Sequence, residues 1–376
     1  MHVVYYNPHY TPELREPSDL LVAHHASRDW CLAARRAGVE RITVVQRFHT
    51  SATLDLDGLP HTLVADGPPG EGSLLRAPKR TLEAIARLNP DVVHWNGRPI
   101  HMKKLRPLLM KSSAIIWQHH GGGFPRWYLR PAYRDAFAAA DVLFFTSRRQ
   151  AQQWRDAKVF GTAQCAMEVL EASTTMESRA SRAARKELAL DGDPIILWVG
   201  HLDANKDPLT VIRAFPAIRE KAPGARLYML YATAPLQDAV TKAIAALNLQ
   251  DAIRLVGRKP HEEMASWYSA ADYFVVGSRS EGSGFALLEA LACGCFPVVP
   301  DIPAYRQITG HGLVGLLWKE RSSAACAAAF GEALGREKDR QAVRSYFKTR
   351  LSYRVLGENA RRAYELAYEA HNGRPG

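Results

Sequence analysis

Short apolar runs recur along the whole chain, and each is followed by a polar or glycine-containing segment. Runs of β-branched and aromatic residues bounded by turn residues are typical of buried strands. In the first half of the chain such runs lie at 2–6, 42–45, 92–94, 114–117 and 142–146. We interpret them as successive strands of one sheet.

Helical patterns alternate with these runs. Ser18 is a candidate N-cap for a helix that continues to about Arg36 and ends at Gly38, and residues 78–88 form another helical segment. Strands that alternate with crossover helices are typical of a doubly wound parallel sheet. The first half is therefore predicted to be a Rossmann-like α/β domain.

A second sheet is predicted to begin at 195–200, after a charged, helix-prone stretch and the break at 191–194. Further strands are predicted at 227–230, 273–276 and 297–299. A chain of 376 residues is too long for one ordinary core. We predict an amino-terminal domain at 1–172 and a second domain at 173–350.

The charge balance limits the choice of partners. Lys and Arg number 49 against 38 Asp and Glu, so the net charge is +11, which favours nucleotide diphosphates, anionic lipid or nucleic acid. The sequence contains no spaced Cys/His zinc ligands and no aromatic RNA-binding strand, so we expect no nucleic-acid partner.

Cysteine usage and the N-terminal residues indicate a cytoplasmic protein. The five cysteines show no C-x-x-C spacing, which favours buried free thiols in a reducing compartment. The first residues lack the features of a signal peptide, and no apolar stretch is long enough to span a membrane.

Candidate chemistry is concentrated between 277 and 303. Gly282, Ser283 and Gly284 allow a tight turn after the strand at 273–276, and a helix is predicted at 285–293. The N-terminus of a helix carries partial positive charge and binds phosphate. This loop is therefore a predicted phosphate site.

Two acids accompany the predicted phosphate site. Glu281 stands in the loop, and Glu289 lies in the helix on a side that can face the same crevice. Carboxylates repel phosphate but accept hydrogen bonds from hydroxyl groups. A ligand that carries both phosphates and hydroxyls is a nucleotide sugar.

The stretch resembles the donor-site signature of family-four retaining glycosyltransferases of the GT-B fold. The match consists of Glu281, Glu289, Gly294 and the strand 297–299. The resemblance implies two Rossmann-like domains facing a cleft, with a C-terminal helix at 351–370 that packs back on the first domain. It also implies transfer of a sugar from a nucleoside-diphosphate donor to a glycan, lipid or small-molecule acceptor, without a cofactor or metal.

The same resemblance assigns residues of the second domain to the donor. A basic residue directly after Gly200 and a lysine five positions later would hold the diphosphate, and these positions are His201, where the family usually has Arg, and Lys206. Arg258 lies in a segment that would bracket the nucleotide base. Gly282, Ser283, Gly284 and Phe285 complete the predicted donor-binding set.

A histidine of the first domain is the third predicted catalytic residue, beside Lys206 and Glu281. The strand at 114–117 is followed by His119, His120 and the glycines 121–123. By resemblance, His120 would lie beside the transferred sugar. His119 is the alternative.

Two other segments allow more than one interpretation. The D-x-D pattern at 55–57 is typical of a metal site in another glycosyltransferase fold, but the following Gly58 favours a surface hairpin. Segment 101–111 alternates cations with large apolar residues. It suits either a crossover helix, which we favour, or a peripheral contact with anionic membrane in which Leu105, Leu108 and Leu109 insert.

Alternatives to a transferase also remain. Pro17-Ser18-Asp19 replaces the Gly-Gly pair that the family usually carries in its first loop. An inactive binding subunit, or a pseudo-glycosyltransferase or epimerase with the same donor site, is also consistent with the sequence.

Overall fold

A computed structural model describes residues 1–66, 77–120, 124–161 and 164–373. The chain divides into two compact units. Unit 1 is Met1–Ala172 with Tyr353–Gly376, and unit 2 is Ser173–Ser352. Each unit is an α/β domain with one sheet whose neighbouring strands are parallel, apart from one antiparallel edge strand in unit 1. The prediction of two parallel-sheet domains is confirmed.

The strands of unit 1 are β1 (His2–Asn7), β2 (Arg41–Arg47), β3 (Ala52–Leu56), β4 (Leu59–Val64), β5 (Val92–Asn96), β6 (Ala114–Gln118), β7 (Val142–Phe145) and β8 (Cys165–Glu168). They pair in the order β3-β4-β2-β1-β5-β6-β7-β8, and only β3 runs antiparallel to its neighbour. The order reverses between β1 and β5. In doubly wound sheets, ligands bind beyond the carboxyl ends of strands at such a point.

Both faces of this sheet are buried. Val3 and Tyr5 of β1 join one hydrophobic core, whereas Val4 and Tyr6 join the core on the opposite face. Alternate side chains of a strand point to opposite faces, so a strand that is covered on both sides is apolar throughout. This explains why the strands appear in the sequence as continuous apolar runs.

The helices of unit 1 before its last strand are α1 (Asp19–Ala23), α2 (His25–Arg36), α3 (Lys79–Arg87), α4 (Met102–Leu105), α5 (Arg130–Phe137) and α6 (Arg148–Asp156). The prediction of a single helix capped by Ser18 is wrong. The helix is interrupted at His24, between α1 and α2, and the Ser18 side chain makes no capping hydrogen bond. The Asp19 carboxylate instead accepts the amides of Arg15 and Glu16 at 2.9 Å each.

Residues 55–58 form a hairpin turn. Strands β3 and β4 pair antiparallel, and Asp57 and Gly58 between them both have positive φ, 55° and 76°. Asp55 is engaged within the turn, because its Oδ1 accepts the Gly58 amide at 2.7 Å. The interpretation of this motif as a hairpin is confirmed.

The strands of unit 2 are β9 (Ile195–Gly200), β10 (Arg226–Tyr231), β11 (Ile253–Gly257), β12 (Tyr273–Val275), β13 (Phe296–Pro300) and β14 (Leu316–Trp318). They form a parallel sheet in the order β11-β10-β9-β12-β13-β14. The order reverses between β9 and β12. The loops after these two strands are therefore adjacent at the carboxyl edge.

The helices of unit 2 are α7 (Ser181–Glu187), α8 (Pro208–Lys221), α9 (Gln237–Ala246), α10 (His261–Ala270), α11 (Phe285–Ala292), α12 (Pro303–Ile308), α13 (Ser323–Leu334) and α14 (Arg340–Arg350). Helix α11 follows β12 and begins where the glycine-rich loop ends. Gly294, with φ of 76°, lies two residues beyond the helix and redirects the chain into β13.

The last helix, α15 (Tyr353–Asn372), packs within unit 1. Its residues Leu356, Ala360 and Tyr364 are buried in one of the two cores. The Tyr364 hydroxyl accepts a hydrogen bond from the Trp30 indole at 2.8 Å. Gly357 is needed for the close approach, because a Cβ there would lie 2.1 Å from the Ala33 carbonyl oxygen.

Segment 101–111 is mostly a crossover between β5 and β6. Leu105 is fully buried in the core, so the alternative in which this residue inserts into a membrane is wrong. Arg106 donates to Asp141 at 3.1 Å, and Lys103 pairs with Asp135. Within the described ranges, no helix has the length and apolar character needed to cross a membrane.

The cysteines are free thiols, and all except Cys165 are buried. Cys165 lies exposed on β8, the last strand of the unit 1 sheet, so the prediction of burial is wrong for this residue.

Candidate functional site

A cavity of about 420 Å³ opens in unit 2 beyond the carboxyl ends of β9, β10 and β11. Most of the predicted donor-binding residues line it, namely His201, Lys206, Arg258, Glu281, Ser283, Gly284, Phe285 and Glu289. Gly282 is not among the lining residues. The structure thus brings together side chains that are up to 88 positions apart in the sequence (from 201 to 289).

Lys206 and Glu281 form an ion pair in the wall of this cavity. The Lys206 Nζ lies 2.5 Å from Glu281 Oε1, and the two side chains are only 18% and 10% exposed. Gly200 makes room for the lysine, since a Cβ there would lie 3.2 Å from the Lys206 Cγ. The conformation of Lys206 is therefore set by the end of β9 and by Glu281.

The loops that carry this pair are held together by further hydrogen bonds. Asp203 accepts the Lys206 amide at 2.8 Å. Asn205 donates to the Ser280 carbonyl at 3.1 Å, and its own carbonyl accepts the Arg279 amide at 2.8 Å. The loop after β9 and the loop after β12 thus form one connected structure.

Gly277 permits this close contact between the loops. A Cβ at this position would lie 2.3 Å from the Asp207 carbonyl oxygen. Asp207 itself has φ of 40°, a left-handed conformation that a non-glycine residue rarely adopts, and its carboxylate accepts from Arg279 at 3.2 Å. The strained residue is therefore anchored next to Lys206.

Tyr305 of α12 lies beneath Glu281, a contact that the sequence does not reveal. Its hydroxyl donates to Glu281 Oε1 at 3.1 Å and lies 3.2 Å from the Ser278 Oγ. Burial, and then the nearby Glu281 charge, raises the pKa of Tyr305 well above its ordinary value. The phenol stays protonated, so Glu281 is held by one cation and one neutral donor.

Glu289 has a corresponding buried partner. The Tyr268 hydroxyl of α10 donates to Glu289 Oε2 at 2.9 Å. Burial and the Glu289 charge raise the pKa of Tyr268 well above its ordinary value, so this phenol also remains a donor. The Tyr268 hydroxyl thus orients one carboxylate oxygen of Glu289, and Glu289 also lines the cavity.

Helix α11 directs its N-terminus to the same cavity. Gly284, Phe285 and Ala286 line it, and the Gly284 carbonyl accepts the amides of Leu287 and Leu288. Gly284 has φ of 63°, a left-handed conformation that favours glycine, and a Cβ there would also require the end of the Ile308 side chain to shift. The partial positive charge of the helix lies at the cavity wall.

Three further nitrogen-bearing side chains that line the cavity, His201, Arg258 and Lys259, differ in their contacts. His201 is hydrogen-bonded through Nδ1 to the Thr233 hydroxyl at 2.8 Å. Arg258 is exposed on the cavity wall. Lys259 beside it lies over the Trp267 ring at 5.9 Å. Arg258 and Lys259 are therefore additional cations near His201.

The two adjacent histidines of unit 1 lie in different environments. His119 is buried, stacks on Phe145 at 5.6 Å and is a core residue. His120 is partly exposed, and its two ring nitrogens contact Glu171 and Asn96. The glycines 121–123 lie outside the described residues. Neither Glu171 nor Asn96 was found from the sequence.

No group of three or more His, Cys, Asp or Glu side chains that could hold a metal occurs in the described part of the chain. The polar groups of the unit 2 cavity are cations, a helix N-terminus and two carboxylates that are already hydrogen-bonded. This set suits a ligand that carries both anionic groups and hydroxyls.

In fold, the chain is a GT-B protein. It is similar to sucrose-phosphate synthase from Thermosynechococcus elongatus, with a TM-score of 0.69, 19% identity and coverage of 98% of this chain and 99% of that chain. HepE of Anabaena, solved in complex with UDP, gives a TM-score of 0.70 at 14% identity, covering 97% and 100%. Likeness at such identities establishes the fold alone.

Residues 180–350 match the family model described as "Glycosyl transferases group 1". D-inositol 3-phosphate glycosyltransferase of Nocardia farcinica is 33% identical over 165 residues, 42% of this chain and 36% of that protein. GDP-mannose:cellobiosyl-diphosphopolyprenol alpha-mannosyltransferase of Xanthomonas campestris is 26% identical over 265 residues, 68% of each. The part of the chain that is similar to the group 1 glycosyltransferases thus lies in unit 2.

The matched regions span 36% to 44% of the length of the first four curated relatives. The match to these relatives therefore covers less than half of each of those proteins.

Proposed function

We propose that this protein is a retaining glycosyltransferase of family four, which transfers a sugar from a nucleoside-diphosphate donor to a glycan, lipid or small-molecule acceptor. The observation that carries the proposal is the unit 2 cavity, where Lys206 and the α11 N-terminus lie beside two oriented carboxylates. Cationic groups suit the diphosphate, and the carboxylates suit the hydroxyls of ribose and sugar.

The roles follow from the chemistry of each group. The α11 N-terminus and Lys206 would stabilise the negative charge that develops on the leaving phosphate. Glu289 would accept hydrogen bonds from the ribose, and Glu281 from the sugar hydroxyls. Arg258 would lie near the base, with Lys259 beside it. In unit 1, His120 is proposed to contact the transferred sugar.

The environment of Glu281 supports a mechanism without a covalent enzyme intermediate. Its Oε1 accepts from both Lys206 and Tyr305, which lowers the electron density that a nucleophile needs. The proposed reaction is front-face departure. The C–O bond to the leaving phosphate breaks as the acceptor oxygen attacks the same face, and a phosphate oxygen takes the acceptor proton.

The relatives support this class of reaction. Two of them carry the names of a D-inositol 3-phosphate glycosyltransferase and an alpha-mannosyltransferase that uses GDP-mannose. The structurally similar HepE is described in complexes with UDP and with UDP-glucose. Nucleoside-diphosphate sugars are therefore the proposed donor class for this chain, without a choice of base or sugar.

An inactive binding subunit is the second candidate, because His201 stands where the family usually has Arg and is bonded to Thr233. Thermal-shift measurements with UDP, GDP, ADP and dTDP should identify a stabilising nucleotide. The corresponding nucleotide sugars should then be hydrolysed slowly by the purified chain. Stabilisation without any turnover, even with a broad acceptor panel, would favour the binding subunit.

NMR analysis of the glycosylated product would test retention, because the donor and product anomers are distinguishable. An inverted product would contradict the proposed mechanism. A product in which the sugar is epimerised but not transferred would instead indicate an epimerase with the same donor site.

A further inference from the structure

We propose that the start of α5 in unit 1 is a contact surface for anionic lipid membranes. The contact surface is defined by Phe124, Trp127 and Tyr128 with the neighbouring Arg126. Trp127 is 77% exposed and Tyr128 is 51% exposed, which is unusual for such large side chains. Trp and Tyr side chains suit the membrane interface, where an apolar ring and a polar group are both accommodated.

The exposed rings are presented by an ordered segment. Phe124 packs edge-on against Trp154, with ring centroids 5.3 Å apart. The Arg130 guanidinium lies 4.9 Å from the centroid of the Phe124 ring. Residues Trp127–Leu129 form a 3₁₀ turn that leads directly into α5. The exposure of Trp127 is therefore built into the fold of unit 1.

The charge around the contact surface has one sign. Residues 124–134 contain Arg126, Arg130 and Arg134 but no Asp or Glu. The next acid along the chain, Asp135, is paired with Lys103 at 2.9 Å. The charge of the arginines complements phosphate headgroups.

The arrangement favours a lipid surface over a neutral glycan. The Trp127 and Tyr128 rings are perpendicular, with centroids 5.9 Å apart, so they form no continuous flat platform on which sugars could stack. Arg126 donates to the Tyr128 hydroxyl at 3.3 Å, so a cation lies directly beside the exposed rings, as in interfacial segments. The contact surface also differs from segment 101–111, in which Leu105 is buried in the core.

Co-sedimentation with vesicles tests the proposal. The full chain should bind vesicles of phosphatidylcholine mixed with phosphatidylglycerol, and it should not bind phosphatidylcholine alone. Trp127→Ser should weaken partitioning about tenfold, because the apolar area that can enter the interface is lost. Arg126→Ala should weaken it about fivefold, since one basic residue contributes ~1 kcal/mol near an anionic surface.

Matched control variants test whether vesicle binding depends on this surface or on any exposed apolar or basic side chain. Leu313→Ser removes another exposed apolar side chain and Arg213→Ala another exposed cation, both in unit 2, and neither should change vesicle binding. Trp127→Phe should retain most of the binding, because an aromatic ring remains available for the interface. Unchanged binding in Trp127→Ser, or no binding by the wild-type chain at low salt, would overturn the proposal. Binding of Trp127 to a soluble glycan without vesicle binding would also overturn it.

Discussion

The Lys206 Nζ lies 2.5 Å from Glu281 Oε1, so the opposite charges of these two side chains compensate each other. The pair joins the loop after β9 to the loop after β12, the two strands between which the sheet order reverses. A diphosphate that enters the cavity would share Lys206 with Glu281. The site therefore holds its cation in place before the donor arrives, which reduces the ordering cost of binding.

Lys206→Ala should weaken nucleoside-diphosphate binding by about 1.5–3 kcal/mol, the value of one hydrogen bond to a charged group. The loss of affinity should be larger in Lys206→Ala than in the double variant Lys206→Ala with Glu281→Gln. The single variant leaves the Glu281 carboxylate without its cation near the phosphates. Titration calorimetry measures both, with Arg213→Ala as the exposed-cation control. Unchanged affinity in Lys206→Ala would contradict the site.

Glu289→Ala should weaken binding of the same nucleotide by about 1.5–3 kcal/mol. Because Glu289 is proposed to accept from ribose hydroxyls, a 2′,3′-dideoxynucleoside diphosphate should bind the variant and the wild type equally. Tyr268→Phe removes the donor that orients Glu289 and should give a smaller loss. If the dideoxy compound loses as much affinity as the normal nucleotide, Glu289 does not bind the ribose.

The cavity-lining groups could be predicted because they follow recognisable strand ends. Glu281 and Glu289 follow an apolar run and a glycine-rich loop, so local order along the chain places them at the carboxyl edge, whereas the resemblance to the family identified Lys206. Their buried partners could not be predicted. Tyr305 and Tyr268 lie in helices where an aromatic residue is indistinguishable from core, and only tertiary packing brings their hydroxyls to the carboxylates.

The errors have local physical causes. Ser18 fits the pattern of an N-cap, but its own backbone is helical, with φ of −62° and ψ of −27°, and the amides of Leu20 and Leu21 donate to the carbonyls of Pro17 and Ser18. Leu105 belongs to a segment too short and too interrupted to show which of its apolar residues face the core. In both cases the sequence predicted a helical segment, and only the folded structure shows the conformation of Ser18 and the burial of Leu105.

Turnover should persist in excess EDTA. The prediction rests on the hairpin at 55–58, whose Asp55 is bonded within its own turn, and on phosphate stabilisation by Lys206 and the α11 N-terminus. Activity is measured with and without the chelator at equal ionic strength. A complete loss of activity that magnesium restores would mean that a carboxylate-bound ion handles the diphosphate.

Unit 1 should lose stability as the pH falls below about 6.5, the ordinary pKa of histidine. Burial lowers the pKa of His94 to about 3, and His94 is hydrogen-bonded to Tyr364 at 2.8 Å. The folded chain therefore keeps this imidazole neutral, while the unfolded chain binds a proton as the pH falls. The stability that neutral His94 contributes to folding is complete above the pKa of the unfolded state and declines below it. Between pH 7 and pH 5 the loss is about 2 kcal/mol.

Urea denaturation of the wild type and of His94→Gln at both pH values checks this expectation. The variant should be less stable at pH 7 but should show a smaller decline at pH 5. An identical decline in both proteins would mean that other groups control the pH dependence.

Glu171 is expected to act as a positioning residue for His120, because its buried carboxylate contacts the Nδ1 of that ring from within the same unit. Glu171→Gln keeps the shape and removes the charge. It should lower kcat about tenfold, corresponding to ~1.4 kcal/mol, while the donor KM changes less because the proposed contacts with the nucleoside diphosphate lie in unit 2. Glu168→Gln, which removes an acid facing the exposed Arg148, is the matched control. In a His120→Ala background, Glu171→Gln should have no further effect. A further loss of kcat there would show that Glu171 does not act through His120.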